Sequence, residues 1–228
     1  MNRVPMSMSV PMLTSVSDQT SLPTGINNQI ASITPIGQIV DDLVARGWSQ
    51  QFDFLPASLV LALAAECRTR ADNGKLTAAG VGRGAGQAIR DGVRGDHIQW
   101  LEAGQSVGCD HYLRSMDTLR QELNLALYLG LDAYETHFAL YPPGAFYQKH
   151  VDRFRDDDRR TVSIVLYLNQ DWLPEHGGAL RLYPEGKPPQ DILPLAGSLA
   201  LFMSADMPHE VLPATRERLS LTGWFKRR

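Results

Sequence analysis

The hydrophobic pattern of this chain changes its period near the middle. In the first half, apolar residues recur at three- and four-residue spacing, which is typical of amphipathic helices. The predicted helices span residues 36–48, 55–74 and 111–129. Pro56 near the start and Gly74 at the end of the second segment match the residue preferences of helix termini. The first half is therefore predicted to be mainly helical, with one short strand at 97–101.

The second half alternates between apolar and polar positions, which indicates β-strands. Alternating runs separated by turn residues occur at 134–141, 161–169, 178–185, 191–204, 209–214 and 218–226. Many short strands at such intervals are typical of a double-sheet jelly roll. We therefore predict an α+β fold with a double-stranded β-helix (jelly roll) core and the N-terminal helices packed on one sheet.

Two of the predicted strands have one aliphatic face and one more polar face. In 161–169 the aliphatic face consists of Val162, Ile164, Leu166 and Leu168, and the other face of Thr161, Ser163, Val165 and Tyr167. In 218–226 the aliphatic face holds Leu219, Leu221 and Phe225, and the other face Arg218, Ser220, Thr222 and Trp224. A solvated outer face is the alternative interpretation of the polar sides. Because Tyr and Trp are unusual on a wet surface, we predict a polar interior instead.

Two segments lie outside these periodic patterns. Residues 1–35 are rich in Met, Ser, Thr, Pro and amide side chains, with Arg3 and Asp18 as the charged residues. They lack a basic start followed by a continuous apolar stretch, so no secretory signal is predicted, and we expect a mobile tail. The Gly-rich segment 79–96 is predicted to be a mobile loop. Its sequence GVGRGAG lacks the Gly-Lys-Ser/Thr ending of a phosphate-binding loop.

Composition narrows the class of protein further. A chain of 228 residues predicts one domain of ordinary size, here 36–228, with helices in 36–130 and the jelly roll in 134–228. The net charge of −3 argues against general affinity for nucleic acid. No apolar window has the length of a membrane span. Cys67 and Cys109 are interpreted as buried thiols in a reducing compartment, which predicts a cytoplasmic location.

The candidate chemistry lies in the second half. His150 and Asp152 stand two positions apart in YQKHVDRF, so an extended backbone would point both side chains to one face. His209 follows in MPHEVLP. Two imidazoles and one carboxylate form the facial triad that holds non-haem Fe(II) and leaves coordination positions open. A His-x-Asp pair alone is weak evidence in a chain with six histidines, so the triad depends on its context.

Arg218 supplies part of that context. It follows His209 by nine residues, at the start of the last predicted strand. The planar guanidinium matches a carboxylate bidentately, which makes arginine a natural anchor for the far carboxylate of a 2-oxoacid. The four residues together predict an oxygenase that uses iron and 2-oxoglutarate.

The segments around these residues resemble a known family. YQKHVDRF, SIVLYLNQDW, GGALRLYPEG, PHEVLPA and RLSLTGWF occur in the order found in the prolyl-hydroxylase-domain enzymes, relatives of the hydroxylases that modify hypoxia-inducible factor. IRDGVRGDHIQWLE resembles the mobile loop and the following strand of the same family. The resemblance covers about residues 36–228, and the chain looks most like the bacterial prolyl hydroxylases that act on elongation factor Tu.

The resemblance implies an activity and its cofactors. The activity is that of a peptidyl-proline 4-dioxygenase, which hydroxylates a proline of a protein substrate, here elongation factor Tu, and releases succinate and carbon dioxide. The implied cofactor is Fe(II), with 2-oxoglutarate and O2 as cosubstrates and ascorbate as a candidate reductant. Oxygen sensing and simple oxygen consumption are both compatible with this pattern. Neither a nucleic acid nor a membrane is an expected partner.

The resemblance also implies roles for individual residues. Catalysis and metal binding fall to His150, Asp152 and His209, with Arg218 and Tyr167 on the distal carboxylate of 2-oxoglutarate. The rest of the implied cosubstrate pocket consists of Tyr141, Leu180, Thr222 and Trp224. The residues implied to face the peptide substrate are Arg94, Asp96, Tyr147 and Arg160. Asp96 and Arg160 match positions that pair in the family, which predicts a salt bridge between the loop and the core.

Two other hypotheses compete with this one. A 2-oxoglutarate oxygenase could act on another side chain, a small molecule or a nucleic acid, although the acidic balance disfavours the last. The long Gly-rich loop favours a peptide that has to be enclosed. A non-catalytic jelly-roll binding or sensing module would be indicated by loss of a triad residue, yet all three ligands and Arg218 are present.

Overall fold

The computed structural model describes Met1 and residues 36–80, 92–153 and 157–228. The helices are α1 (Ile36–Arg46), α2 (Ala57–Asp72) and α3 (Val107–Leu127). The strands of the first half are β1 (Trp48–Gln51), β2 (Thr77–Ala78) and β3 (His97–Trp100). Those of the second half are β4 (Leu131–Tyr141), β5 (Tyr147–His150), β6 (Arg160–Tyr167), β7 (Leu180–Leu182), β8 (Gln190–Ile192), β9 (Leu199–Met203), β10 (His209–Val211) and β11 (Arg218–Arg227). A short 3₁₀ helix spans Pro174–His176.

The strands form two antiparallel sheets. The large sheet has the order β1-β9-β6-β11-β4-β3-β2, and the small sheet has the order β5-β10-β7-β8. Strands distant in sequence are neighbours in both sheets, as expected for a jelly roll. All three helices contact strands of the large sheet: α1 contacts β1 and β9, while α2 and α3 contact β4. The predicted α+β jelly roll with helices packed on one sheet is therefore confirmed.

The two faces of the large sheet bury different sets of side chains. One cluster joins the helices to the aliphatic faces of β6 and β11, and from these strands it contains Val162, Ile164, Leu166, Leu219, Leu221 and Phe225. A second cluster fills the space between the sheets with residues such as Tyr141, Val165, Tyr167, Leu180 and Phe202. The strand parity predicted from the sequence is confirmed, because Val165 and Tyr167 turn away from the helices into this interior. The polar faces of β6 and β11 consequently border the space between the sheets.

Two predictions about the strands were incomplete. Strand β1 was not predicted, because WSQQ has no alternation of apolar residues; its buried side chains are the polar Ser49 and Gln51. These two side chains are joined by a hydrogen bond of 2.7 Å, and pairing with β9 defines the strand. The predicted run 191–204 is divided into β8 and β9, since Pro194 and the positive φ of Gly197 interrupt it.

Several other expectations concern particular segments. The predicted tail 1–35 lies outside the described residues except for Met1, and of the predicted loop 79–96 only residues 79–80 and 92–96 are described. Cys67 and Cys109 are free, fully buried thiols, as predicted. Within the described part of the chain, no helix combines the length and apolarity that crossing a membrane would require.

Candidate active site

The two histidines of the predicted triad face each other across neighbouring strands of the small sheet. His150 at the end of β5 is the register partner of His209 at the start of β10, and their ring centroids are 4.3 Å apart. The next pair in the register is Tyr147 with Val211, so the two pairs are three residues apart along β5 but two residues apart along β10. Such an extra residue is a β-bulge, which re-aims side chains. Because of it, Tyr147 and His150 share a face although they are three residues apart.

Asp152 completes the triad from just beyond the end of β5. Its carboxylate lies 3.5 Å from Nε2 of His150 and 3.6 Å from Nε2 of His209. One ligand atom from each of the three residues lies within 4.8 Å of the other two. The structure therefore brings together the three residues that the sequence predicted, in an arrangement that one metal ion can bridge. Their side chains are largely buried, with relative exposures of 19% for His150, 9% for Asp152 and 6% for His209.

Hydrogen bonds to the backbone fix the tautomer of both histidines. Nδ1 of His150 lies 2.7 Å from the carbonyl oxygen of Gln148, and Nδ1 of His209 lies 3.0 Å from that of Met207. Because a carbonyl oxygen can only accept, each Nδ1 carries the proton and donates it. Each Nε2 then presents a lone pair toward Asp152, as a metal-binding imidazole requires.

The protonation states of Asp152 and His209 also suit a cation. Burial lowers the pKa of His209 to about 4, although the charge of Asp152 acts in the opposite direction, so the imidazole is neutral at neutral pH. Burial alone would raise the pKa of Asp152. The neighbouring His209 and His150 and a hydrogen bond from Ser163 nevertheless hold this pKa well below its usual range. An ionised carboxylate beside imidazole nitrogens is a donor set for a divalent transition metal.

Ser163 contacts the triad, although sequence reasoning did not single it out. It lies on the polar face of β6, and its hydroxyl donates to Oδ2 of Asp152 over 2.7 Å. A second hydroxyl, that of Ser204, lies 2.8 Å from it. From the sequence, strand alternation placed Ser163 on the same face as Val165 and Tyr167. Only the fold shows that this face contacts Asp152.

We expect the substitution Ser163→Ala to weaken metal binding by about 10- to 100-fold, the usual effect of removing a hydrogen bond that orients a ligand. Titration of the metal-free protein with Mn(II) measures the change. Ser198→Ala is the matched control, because the Ser198 hydroxyl is buried without a hydrogen-bond partner in the described part of the chain. Equal Mn(II) affinity of both variants would show that Ser163 does not orient the ligand.

Arg218 lies at the base of the pocket that contains the triad. The pocket is lined by residues of both sheets, among them His150, Asp152, His209, Arg218 and Thr222. Arg218 is 2% exposed, and among the described residues its hydrogen bond is from Nε to the carbonyl oxygen of Gly178, at 2.8 Å. The rings of Tyr141 and Tyr167 lie 5.2 Å and 5.1 Å from its guanidinium carbon.

The residues around Arg218 fit a ligand with a carboxylate. A buried charge is costly unless it is paired, and the hydrogen bond to Gly178 uses only Nε of the guanidinium. The buried hydroxyl of Tyr167 and the indole nitrogen of Trp224 also lack a hydrogen-bond partner in the described part of the chain. Burial raises the pKa of Tyr167 to about 12, against the charge of Arg218, so this hydroxyl stays a donor. A carboxylate beside Arg218 would pair its charge and accept from Tyr167.

The other residues of the predicted cosubstrate pocket occupy the same region. Tyr141, Leu180, Thr222 and Trp224 all line the pocket. Tyr141 is the register partner of Arg218, and Leu180 belongs to the facing small sheet. Close packing at Gly178 shapes this end of the pocket, since a Cβ there would lie 3.3 Å from Cδ of Arg218. The structure thus places these residues together, and their contact with a cosubstrate remains a prediction.

The prediction of a salt bridge between Asp96 and Arg160 is wrong, since the structure describes both residues and pairs each of them with another side chain. Asp96 instead pairs with Arg94 through two contacts, at 2.7 Å and 2.6 Å. Arg160 pairs with Glu135 at 2.9 Å and lies over the Trp224 ring at 3.5 Å. The physical reason is proximity: Arg94 stands two residues from Asp96 and reaches its carboxylate with a bidentate fork. All four residues predicted to face the substrate, Arg94, Asp96, Tyr147 and Arg160, line the pocket.

His137 is a second pocket residue that the sequence did not assign to the site. Its side chain is 2% exposed, and its Nδ1 donates to the carbonyl oxygen of Phe138. Its ring contacts Trp100 and Trp224. Burial lowers the pKa of His137 to about 4, opposed by the charge of Asp96 and assisted by that of Arg94. The strand register could have indicated this position, because His137 lies opposite Thr222, a residue of the predicted cosubstrate pocket.

Replacing His137 should change how stability depends on pH. A native pKa of about 4 lies below the unfolded value of about 6.5, so acid favours the unfolded state. The stabilisation is complete above the unfolded pKa and is lost as the pH falls toward the native one. When the pH is lowered from about 7.5 to about 5, this effect should cost the wild type about 2 kcal/mol of unfolding free energy. His137→Leu lacks the titrating group, so its loss over the same pH range should be smaller by that amount.

Urea unfolding at the two pH values, with a chelator present throughout, measures this difference. The matched control is His111→Gln, which replaces an exposed histidine on α3. A parallel loss of stability in the His137→Leu variant and the wild type would mean that His137 is not neutralised by burial.

Comparison with known proteins agrees with this geometry. Residues 136–226, which contain the triad and Arg218, match the family model of the 2OG-Fe(II) oxygenase superfamily. A solved prolyl-4-hydroxylase from Pseudomonas putida is 56% identical, with a TM-score of 0.78, over 85% of this chain and 99% of that chain. A prolyl hydroxylase from Trichoplax adhaerens, solved with a peptide fragment of the hypoxia inducible factor oxygen degradation domain, is 30% identical. Its TM-score is 0.75, over 84% of this chain and 88% of that chain.

Curated relatives lie in the same group of proteins. Egl nine homolog 1 of Homo sapiens is 34% identical over 196 residues, which are 82% of this chain and 43% of the relative. Its Rattus norvegicus counterpart is matched over 54% of its length. The chain therefore spans about half the length of the curated relatives that it matches.

Proposed function

The chain belongs to the prolyl-hydroxylase group of the 2OG-Fe(II) oxygenase superfamily, and from this premise we propose that it is a protein prolyl 4-hydroxylase. It would hydroxylate C4 of a proline in a protein substrate and convert 2-oxoglutarate to succinate and carbon dioxide. One observation carries the proposal: a buried His-Asp-His cluster and a buried arginine that lacks a charged partner among the described residues line the same pocket. The first fits a redox metal and the second fits the cosubstrate.

The triad residues would hold Fe(II), and Arg218 with Tyr167 would hold the distal carboxylate of 2-oxoglutarate. Bound iron, 2-oxoglutarate and O2 supply the oxidation that replaces a C–H bond by C–OH. The protein supplies the fixed orientation of its ligands through Gln148, Met207 and Ser163. A buried pocket excludes water and strengthens the charge pairing at Arg218.

The pocket mouth supports a peptide substrate. Trp100 and Val151 line the pocket and are 46% and 44% exposed, so they offer accessible apolar surface in the pocket wall. Arg160, which we propose to face the substrate, lies over the Trp224 ring in the same wall. Apolar surface and an aromatic wall suit a proline ring and its neighbours in an extended peptide. The relative from Trichoplax adhaerens, solved in complex with a peptide fragment, is consistent with such a partner.

For the substrate itself we infer elongation factor Tu, on the resemblance to bacterial hydroxylases that act on it. The test incubates the enzyme, Fe(II), 2-oxoglutarate and O2 with elongation factor Tu purified from cells that lack this gene. Peptide mass spectrometry should then show the mass of one added oxygen on a proline, with succinate formed in proportion. The Asp152→Ala variant is the control for oxidation without the metal site.

The possible outcomes separate the parts of the proposal. Oxygen added to a proline of another protein in a cell extract, but not to elongation factor Tu, would reject the substrate and keep the reaction. Oxygen added to another residue type, or turnover with a small molecule alone, would reject prolyl hydroxylation.

A further inference from the structure

Residues 92–96, here called the edge segment, extend the small sheet beside the strand that carries His150. The amide of Gly95 donates to the carbonyl oxygen of Phe146 at 3.0 Å, and the amide of Gln148 donates to that of Val93 at 2.8 Å. Arg94 and Tyr147 form an antiparallel bridge between them. The edge segment therefore pairs with β5 along the edge opposite to β10.

Gln148 connects the edge segment to the imidazole of His150. Its side-chain amide donates to the carbonyl oxygen of Gly92 at 2.7 Å, so both its backbone and its side chain bind the edge segment. Its own carbonyl oxygen accepts the Nδ1 proton of His150 at 2.7 Å. The group that fixes the tautomer of His150 thus belongs to a residue held by the edge segment.

A second connection runs through side chains. Arg94 is fixed by Asp96, whose carboxylate is fully buried, and its guanidinium carbon lies 4.4 Å from the centre of the Tyr147 ring. The Tyr147 ring stacks on the His150 ring with centroids 3.7 Å apart and an interplanar angle of 19°. The bulge in β5 makes this stack possible, because without it the two side chains would lie on opposite faces.

His150 is the ligand that depends most on such support. Its side chain is the most exposed of the three, at 19%, whereas Asp152 is held by Ser163 and His209 is packed against Phe202. We propose that Arg94 and Tyr147 are positioning residues for His150, and that docking of the edge segment is energetically coupled to metal binding. The inference rests on the proposed function only in that it takes His150 as a metal ligand.

The first test measures Mn(II) affinity without substrate, so its outcome does not depend on hydroxylation. Tyr147→Leu removes the stacked ring and should weaken Mn(II) binding by about two- to tenfold, the range expected for an aromatic pair. Tyr147→Phe keeps the ring and should stay within about twofold of the wild type. The matched control is Lys149→Met on the same strand, whose cation–π contact is with Tyr183 and which should leave the affinity unchanged.

A double-mutant cycle tests whether Arg94 acts through Tyr147. Arg94→Met should weaken Mn(II) binding by about two- to fivefold in the wild-type background. In the Tyr147→Leu background the same change should have little further effect, because the ring that transmits it is absent. Additive effects, or Mn(II) affinities equal to that of the wild type in both single variants, would overturn the proposal. Thermal unfolding of the metal-free variants distinguishes these results from a general loss of fold.

Coupling must also act in the reverse direction. Addition of Mn(II) to the wild type should slow hydrogen exchange at the amides of Gly95 and Gln148, which donate across the edge. In Tyr147→Leu, at a Mn(II) concentration that saturates the variant, this extra protection should be smaller. Identical protection in the presence and absence of Mn(II) in the wild type would show that the edge segment and the metal site are independent.

Discussion

The variant Asp152→Ala should show no saturable binding of Mn(II) or Fe(II) and should form no succinate. Asp152 is the anionic ligand of the cluster, and its carboxylate lies between the Nε2 atoms of His150 and His209. Two imidazoles alone offer neither the negative charge nor the facial arrangement that a divalent metal needs. Isothermal titration of the metal-free protein measures the loss.

Asp152→Asn separates charge from shape in this experiment. The amide oxygen can still accept from Ser163, so the local structure should persist while the negative charge is gone. The matched control is Asp206→Asn, since Asp206 is an exposed acid three residues before His209. Metal affinity of Asp152→Asn close to that of Asp206→Asn would remove Asp152 from the ligand set.

The variant Arg218→Ala should lose about 2–5 kcal/mol of 2-oxoglutarate binding, the cost of truncating one partner of a buried charge pair. Its Mn(II) affinity should change little, because Arg218 is bonded to Gly178 and not to a triad residue. Direct titration of the Mn(II)-loaded protein with 2-oxoglutarate measures the first quantity. The 2-oxoglutarate affinity of Arg218→Lys should lie between those of the wild type and Arg218→Ala, since an ammonium keeps the charge but loses the planar fork.

Arg216→Ala is the matched control for this series. Arg216 precedes β11, is partly exposed and donates to the carbonyl oxygen of Asp171, outside the pocket. Its removal should leave 2-oxoglutarate affinity unchanged. A metal affinity that falls as much as the 2-oxoglutarate affinity in Arg218→Ala would indicate collapse of the pocket and not loss of an anchor.

Much of the fold could be predicted because burial follows the sequence period. The aliphatic side of β6 faces the helices and the side of Tyr167 faces the interior, as alternation alone indicated. Where apolar alternation was absent, as in β1, tertiary pairing determined the structure and the prediction failed. Helix α3 begins at Val107, four residues before the predicted start, because Ser106 caps it by accepting from the amide of Cys109.

The site was predicted less completely than the fold. The residue types of the triad and Arg218 were identifiable, but the pairing of His150 with His209 depends on sheet register between distant strands. The bulge that places Tyr147 beside His150 has no sequence signal. The partner of Asp96 was also misassigned, because Arg94 and Arg160 both line the pocket and the sequence does not show which one pairs with Asp96.

The origin of the added oxygen tests the central claim most directly. The reaction is run with elongation factor Tu, or with whichever proline substrate the extract experiment identifies, under O2 enriched in the heavy isotope. The account predicts one labelled atom in the hydroxyl group at C4 of the proline and one in succinate, formed in equal amounts. A hydroxyl that carries unlabelled oxygen from water, or succinate formed without any hydroxylated proline, would contradict it.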